Sequence, residues 1–281
     1  PPVVNVETAC SSGSTAMFEA RRAVSHGDCD VALVIGVDSL TQFGGGTIPL
    51  VDDDWEISQG MTMPALYAMR ARRYMHEFGA TVEQLAKVSV KARSHGARNP
   101  DAQFQKSVTV EEVLGSRPIA DPLTLLQCCP TGDGAAAAII CASDVAGRFE
   151  AEPVKILASE LCSGKFTNGF RDMTSMEIAV RGAGIAYEQA GLGPDDIDVA
   201  EVHDAFSIAE LLYYEAFGFC ERGEAVQLLE SGETTIGGQI VVNPSGGLLA
   251  KGHPIGGTGV AQVVEIVRQL RGHCGDRQVE G

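Results

Sequence analysis

Apolar residues along this chain alternate between two rhythms. Short unbroken runs at 31–37 (VALVIGV) and 135–141 (AAAAIIC) have the length and content of strands covered on both faces. Between such runs lie stretches with apolar positions three and four apart. In the segment 14–26 these are Ala16, Ala20, Ala23 and Val24, and in 258–270 they are Val260, Val263, Val264, Val267 and Leu270. Both spacings predict helices with one buried face. The second half repeats the rhythm with a strand at 154–161, a helix at 175–190, a strand at 198–202, a helix at 207–218 and a strand at 240–243. The turn at 191–196 (GLGPDD) stops one helix and starts the next connection. Alternating strands and helices predict parallel β-α-β units in both halves. The opening segment 1–6 reads as a further buried strand.

Between the first strands, 41–118 is richer in charge and turns and carries helical stretches at 64–78 and 82–94. It reads as a cap inserted over one sheet edge, on a first half spanning 1–150 and a second spanning 151–281. The cap's cations, Arg70, Arg72, Arg73, Lys87, Lys91 and Arg93, read mostly as solvated helix surface, with contact to substrate phosphates as the alternative.

Composition narrows the class. Aromatics are 6% of 281 residues while glycine reaches 33, which suits close helix–strand packing in an α/β protein. A formal charge of −16 argues against nonspecific binding to nucleic acid or anionic membrane. No apolar run approaches the roughly 20 residues of a membrane span. The eight cysteines are irregularly spaced and no signal peptide is evident, so a reduced, cytoplasmic chain is expected.

Candidate chemistry sits at three strand-to-helix turns. In ACSSG, small residues keep Cys10 open, and Gly13 allows close approach; a thiol at a helix start feels the positive end of the macrodipole. In KGHPIGGTG, Gly252 and the glycines after Pro254 bring His253 to another helix start. In HDAF, His203 follows a strand at its carboxyl end, where open α/β sheets build sites; a helix cap by Asp204 is the plainer alternative. Convergence of these residues predicts an activated thiolate. The glycine loop lacks the endings of a phosphate cradle. His203 and His253 lack local ligand spacing and Cys128–Cys129 are adjacent, so no metal site is expected; Cys128 and Cys129 read as packed residues at a strand-entry turn.

Taken together, ACSSG, GVDSL at 36–40, CCPTGDGAAA at 128–137, EVHDAF at 201–206, NPSGG at 243–247 and GHPIGGTG at 252–259 stand in the order found in thiolases. The chain resembles the sterol-carrier-protein-type branch, with archaeal acetoacetyl-CoA thiolases close by, because it has HDAF where ordinary thiolases have Asn-Glu-Ala-Phe. The resemblance covers essentially every residue. It implies a thiolase fold: two β-α-β-α-β-α-β-β halves related by a pseudo-twofold, with an inserted loop domain. It implies acyl transfer from acyl-CoA or 3-ketoacyl-CoA through acylated Cys10, with His253 activating the thiol and His203 helping to hold the thioester oxygen. Gly13, Asn243, Gly246, Gly247 and Gly252 would shape the oxyanion site. No cofactor is implied beyond the coenzyme A of the substrate. A homodimer or homotetramer, a role in fatty-acid and lipid metabolism, and a small acyl-CoA-associated partner protein are what the same resemblance implies.

Two departures stand out. The family's second thiol lies either at the third position of HDxF, which here is Ala205, or in a C-terminal Cys-x-Gly loop beyond the residues given. The family's first strands are also not among them, so the chain is expected to be truncated at both ends. The first departure leaves altered carbon–carbon chemistry, such as a retro-aldol or carrier-linked acyl transfer, and a noncatalytic acyl-CoA-binding subunit as alternatives.

Overall fold

A computed structural model describes residues 2–44, 55–165 and 171–280. A 3-10 turn at Ala9–Ser11 leads into helix α1 (Ser12–Ser25), then strand β1 (Val31–Ser39). The cap contributes α2 (Met63–Phe78) and α3 (Val82–Gly96), before β2 (Asp133–Cys141). Next come α4 (Glu177–Ala190), β3 (Val199–Ala200), α5 (Ser207–Ala216) and α6 (Ala225–Ser231). Strand β4 (Val241–Val242), the single turn α7 (Gly247–Ala250) and α8 (Ile255–Leu270) follow.

Local signals explain the boundaries. Gly79 takes the left-handed conformation and closes α2. Two residues later Thr81 and Gln84 form a reciprocal cap that opens α3, each side chain bonding the other's backbone N–H at 3.3 and 3.0 Å.

Strands β1 and β2 pair along their whole length, from Val31 opposite Cys141 to Ser39 opposite Asp133, but antiparallel. This corrects the parallel expectation for the first half: strand direction depends on the path of the long cap between them, which hydrophobic runs do not encode. Nor are these strands covered on both faces. Val34 and Ile140 point inward with Met17 and Val260, while Leu33, Ile35, Val37 and Ile139 are 57–62% exposed. In the second half β3 and β4 are parallel, as expected, though only two residues each. The segments 2–6 and 154–161 form no strand; Val3 and Val4 are 85% and 77% exposed, and Ile156, Leu157 and Leu161 also face solvent. Among the described residues neither segment has a neighbouring ladder for its N–H and C=O groups, and apolar content alone does not make a strand.

The cap helices do not stand apart. Ala68, Tyr74, Leu85 and Val88 share one core with Ile208, Leu211 and Leu212 of α5 and with Leu249 of α7. Within that core lies an ion pair that revises the reading of the cap's cations. Lys91 is buried, its Nζ 2.7 Å from Glu210 and donating to Tyr214 Oη at 3.0 Å and Val242 O at 2.9 Å. Arg93 is buried as well, over the ring of Phe104. Arg73 and Lys87 keep the expected surface role, paired with Glu77 and Glu230, while Arg70 ties α2 to the carbonyls of Met173 and Ser175.

Glu210 passes the constraint on to the site. Its second oxygen accepts from Asn243 Nδ2 at 2.8 Å, and Asn243 Oδ1 accepts from Val202 N, also at 2.8 Å. Asn243 holds a left-handed backbone (φ 56°), and its carbonyl accepts from His95 Nδ1. The segment that follows β3, with Val202 and next to it His203, is thus fastened to a buried charge. Lys91→Met leaves the Glu210 carboxylate buried without its cation, an imbalance that costs roughly 3–5 kcal/mol. Urea denaturation should show that loss for K91M and its partial recovery in K91M/E210Q.

Candidate active site

Cys10 lies in the 3-10 turn just before α1, preceded by Ala9 in the left-handed region at φ 50°. A non-glycine residue there marks a sharp elbow, the geometry that lifts a nucleophile clear of its neighbours. His253 precedes α8. The two helix starts meet because glycine lines both. A Cβ on Gly13 would come within 2.6 Å of Gly256 O, and one on Gly36 would overlap the same oxygen. A Cβ on Gly259 would overlap Ser14 N. Asp38, at the end of β1, accepts the Gly256 N–H and pins the loop. The result places His253 Nε2 3.4 Å from Cys10 Sγ.

The tautomer of His253 follows from its other nitrogen. Thr258 Oγ1 donates its one proton to Pro254 O at 2.9 Å, so at 2.7 Å it accepts from His253 Nδ1–H. Nδ1 therefore carries the proton, and the lone pair of Nε2 faces the thiol. Thr258 stands in the glycine loop already singled out, yet its role escaped sequence reasoning. The signal was its place in the first turn of the helix that His253 precedes.

His203 completes the cluster. Its ring meets that of His253 edge-on with centroids 5.0 Å apart. Cys10 Sγ and one ring nitrogen from each histidine lie within 4.8 Å of one another. Among the described residues His203 makes no hydrogen bond, so its polar edge is available to the cleft. Asp204 beside it is a cap, but for α7: its carboxylate accepts from Leu248 N at 2.7 Å and Leu249 N at 3.4 Å. Gly247 is required there, since a Cβ would fall on that carboxylate.

The expected shaping residues divide. Gly13, Gly246, Gly247 and Gly252 permit close approach, Gly246 against Gly96 and Gly252 against the Gln103 amide. Asn243 lies beneath the site rather than in it, its amide taken by Val202 and Glu210. The Cys128–Cys129 loop runs alongside HDAF, with Cys129 N donating to Ala205 O at 2.8 Å. Tyr67 stacks on Phe206, centroids 4.6 Å apart, and burial raises its phenol above the ordinary value.

Electrostatics correct the expectation of a resting thiolate. Cys10 is solvent-accessible, yet loss of hydration pushes its thiol above the ordinary value; its own backbone N–H opposes this, while Asp38 and Glu7 add to it. Burial, with His203 and Lys251 nearby, brings His253 down to about 3, and burial brings His203 down to about 4. Each group is pushed toward its neutral form. The macrodipole at a helix start is worth at most about 2 kcal/mol and does not override desolvation here. The resting site is a thiol facing a neutral imidazole, and transfer of one proton between them creates an ion pair without net charge.

Residues 1–144 match the family model for the thiolase N-terminal domain, and residues 160–281 that for a thiolase C-terminal domain-like region. An acetyl-CoA acetyltransferase of Methanothermobacter thermautotrophicus is 48% identical over 100% of this chain and 74% of its own length. The benzoylsuccinyl-CoA thiolase subunit BbsB of Thauera aromatica is 44% identical over 99% of this chain and 73% of its own. Among solved structures, an Ltp2-ChsH2(DUF35) aldolase matches with a TM-score of 0.84 and 32% identity, covering 95% of this chain and 72% of that one. The chain thus spans about three quarters of the length of each.

Thr258→Val removes the acceptor for Nδ1–H and lets the ring turn. Alkylation of Cys10 by iodoacetamide should slow roughly tenfold, the worth of one hydrogen bond, and Thr258→Ser should restore it. An unchanged rate in T258V would show that the tautomer is held some other way.

Proposed function

Because this chain belongs to the thiolase family, we propose that it is a thiolase-type acyltransferase that takes an acyl group from an acyl-CoA or 3-ketoacyl-CoA onto Cys10. The observation that carries the reading is the 3.4 Å contact between Cys10 Sγ and the unprotonated Nε2 of His253, with His203 beside both.

In the first half-reaction the Sγ–H proton passes to Nε2 as sulfur attacks the thioester carbonyl. The tetrahedral oxyanion is held by His203 and by backbone N–H groups at the start of α1. Collapse breaks the bond to the CoA sulfur, and His253 returns its proton to that leaving thiolate. Free coenzyme A and acyl-Cys10 result, and ping-pong kinetics follow. These steps need no cofactor beyond the coenzyme A of the substrate. Fatty-acid metabolism, a cytoplasmic location and a homodimer or homotetramer extend the reading. The exposed apolar outer face of β1 and β2 supports the oligomer; among the described residues no helix is long and apolar enough to cross a membrane.

A second reading is favoured by Ala205. Carbon–carbon bond formation needs a base for the substrate's α-carbon, and Ala205 offers none. Cys129, the thiol brought alongside, is pushed far above its ordinary value by burial and by the charges of Asp204 and its neighbours. A base so reluctant to ionise suits proton abstraction poorly. Retro-aldol cleavage of a CoA-linked substrate starts from a hydroxyl proton rather than an α-carbon proton. The neutral His253 imidazole is placed to take that proton and return it to the enolate carbon once the carbon–carbon bond has broken. The similar solved structure of an Ltp2-ChsH2(DUF35) aldolase lends this support.

Incubation with acetyl-CoA or acetoacetyl-CoA should add one acyl group to the chain by intact mass, and Cys10→Ser should abolish it. An adduct that survives C10S, or none on the wild type, overturns the acyl-enzyme. A third outcome, carbon–carbon cleavage of a β-hydroxyacyl-CoA without acylation, favours the aldolase reading.

The lowered His253 pKa sets the sign of the pH dependence. A base whose pKa falls to about 3 stays neutral well below the ordinary imidazole value of about 6.5. Single-turnover acylation should hold level from about pH 7 down to about pH 5 rather than decline through the middle of that range. An acid limb centred near 6.5 would contradict the buried, neutral imidazole.

A further inference from the structure

The same three side chains have a second capability that the spacing of residues along the chain conceals. Cysteine and histidine are donors for borderline and soft cations, and three such donors with an open fourth position are the ligand count of a reactive zinc site. A tetrahedral ion with zinc–sulfur and zinc–nitrogen bonds of about 2.3 and 2.0–2.1 Å holds its ligand atoms roughly 3.3–3.6 Å apart. Cys10 Sγ and His253 Nε2 stand at 3.4 Å already. The His203 nitrogen lies within 4.8 Å of both, so a side-chain closure on the order of 1 Å completes the set.

Three further observations favour a ligand at this point. The His253 lone pair is aimed outward at the thiol by Thr258, the outer-shell contact that orients a ligating imidazole. His203 makes no hydrogen bond among the described residues and gives up nothing on binding an ion. Cys10 is solvent-accessible, which provides entry. Among the described residues this is the one group of three or more His, Cys, Asp or Glu side chains so converged.

We propose that Cys10 Sγ, His253 Nε2 and a ring nitrogen of His203 form a site for Zn2+, and that the bound ion switches acyl transfer off. Binding is an acid–base exchange without redox change: the S–H bond breaks, the S–Zn bond forms and the proton leaves to solvent. The ion then occupies both the sulfur lone pair that would attack a thioester and the nitrogen lone pair that would take the proton. Metal and acyl group are mutually exclusive on one sulfur. The switching half of the proposal rests on the acyltransferase reading above; the site itself does not.

The probe is Co2+, whose bond to a thiolate gives a charge-transfer absorption, titrated anaerobically into the whole chain. One equivalent should produce that band, and Zn2+ should displace it. Cys10→Ser and prior alkylation of Cys10 should abolish it. His203→Asn should weaken binding at least tenfold, and Cys128→Ser/Cys129→Ser should leave it intact. No band with excess Co2+, or a band that persists in C10S, overturns the site. Zn2+ should then stop acylation by acetyl-CoA, reversibly on adding a chelator; acylation that proceeds with zinc bound overturns the switch. A metal band in a chain that acetyl-CoA never acylates sustains the site and removes the acyltransferase reading instead.

Discussion

The contact on which the site depends is a steric one. Two helix starts nearly the whole chain apart approach each other and strand β1 until backbone touches backbone, which is possible only because Gly13, Gly36 and Gly259 carry no Cβ. That approach sets the 3.4 Å separation of Cys10 and His253. A larger residue at these positions would push the sulfur and the imidazole apart, and catalysis of this kind is sensitive to displacements of about 1 Å. Asp38 fixes the loop from the strand side and Thr258 fixes the ring from the helix side. The reactive pair is thus held by contacts that never meet a substrate.

The third side chain is secured by different physics. His203 lies three residues beyond a strand of only two, too short to hold a direction through its own ladder. Its rigidity comes from below, through Val202, Asn243, Glu210 and the buried Lys91 of the cap. A buried ion pair adds little net stability, but it has one geometry, and a break in it is heavily penalised. The cap helices therefore do more than overlie the sheet: through Lys91 they fix the floor on which His203 stands.

Desolvation gives this arrangement its electrostatic character. A thiol raised and two imidazoles lowered by burial make a site that rests uncharged and acquires an ion pair when a proton moves. Such a pair is stabilised by the attraction of its members in a medium of low dielectric, whereas either charge alone would be expelled. The same donors suit a soft cation, because a neutral imidazole has a free lone pair and a thiol can surrender its proton to solvent.

The sequence by itself determined the helices 14–26, 207–218 and 258–270 to within a few residues, the strands at 31–37 and 135–141, and the three turns that carry Cys10, His203 and His253. These follow from spacing of three and four, from uninterrupted apolar runs, and from clusters of glycine and small residues, all local properties of the chain. What only the tertiary structure decided was non-local. The direction of β2 against β1, the absence of strands at 2–6 and 154–161, and the burial of Lys91 depend on which distant segments lie alongside. So do the protonation of the Cys10–His253 pair and the convergence of three possible metal ligands, since desolvation and distance are set by the packed neighbours of a residue rather than by its neighbours along the chain.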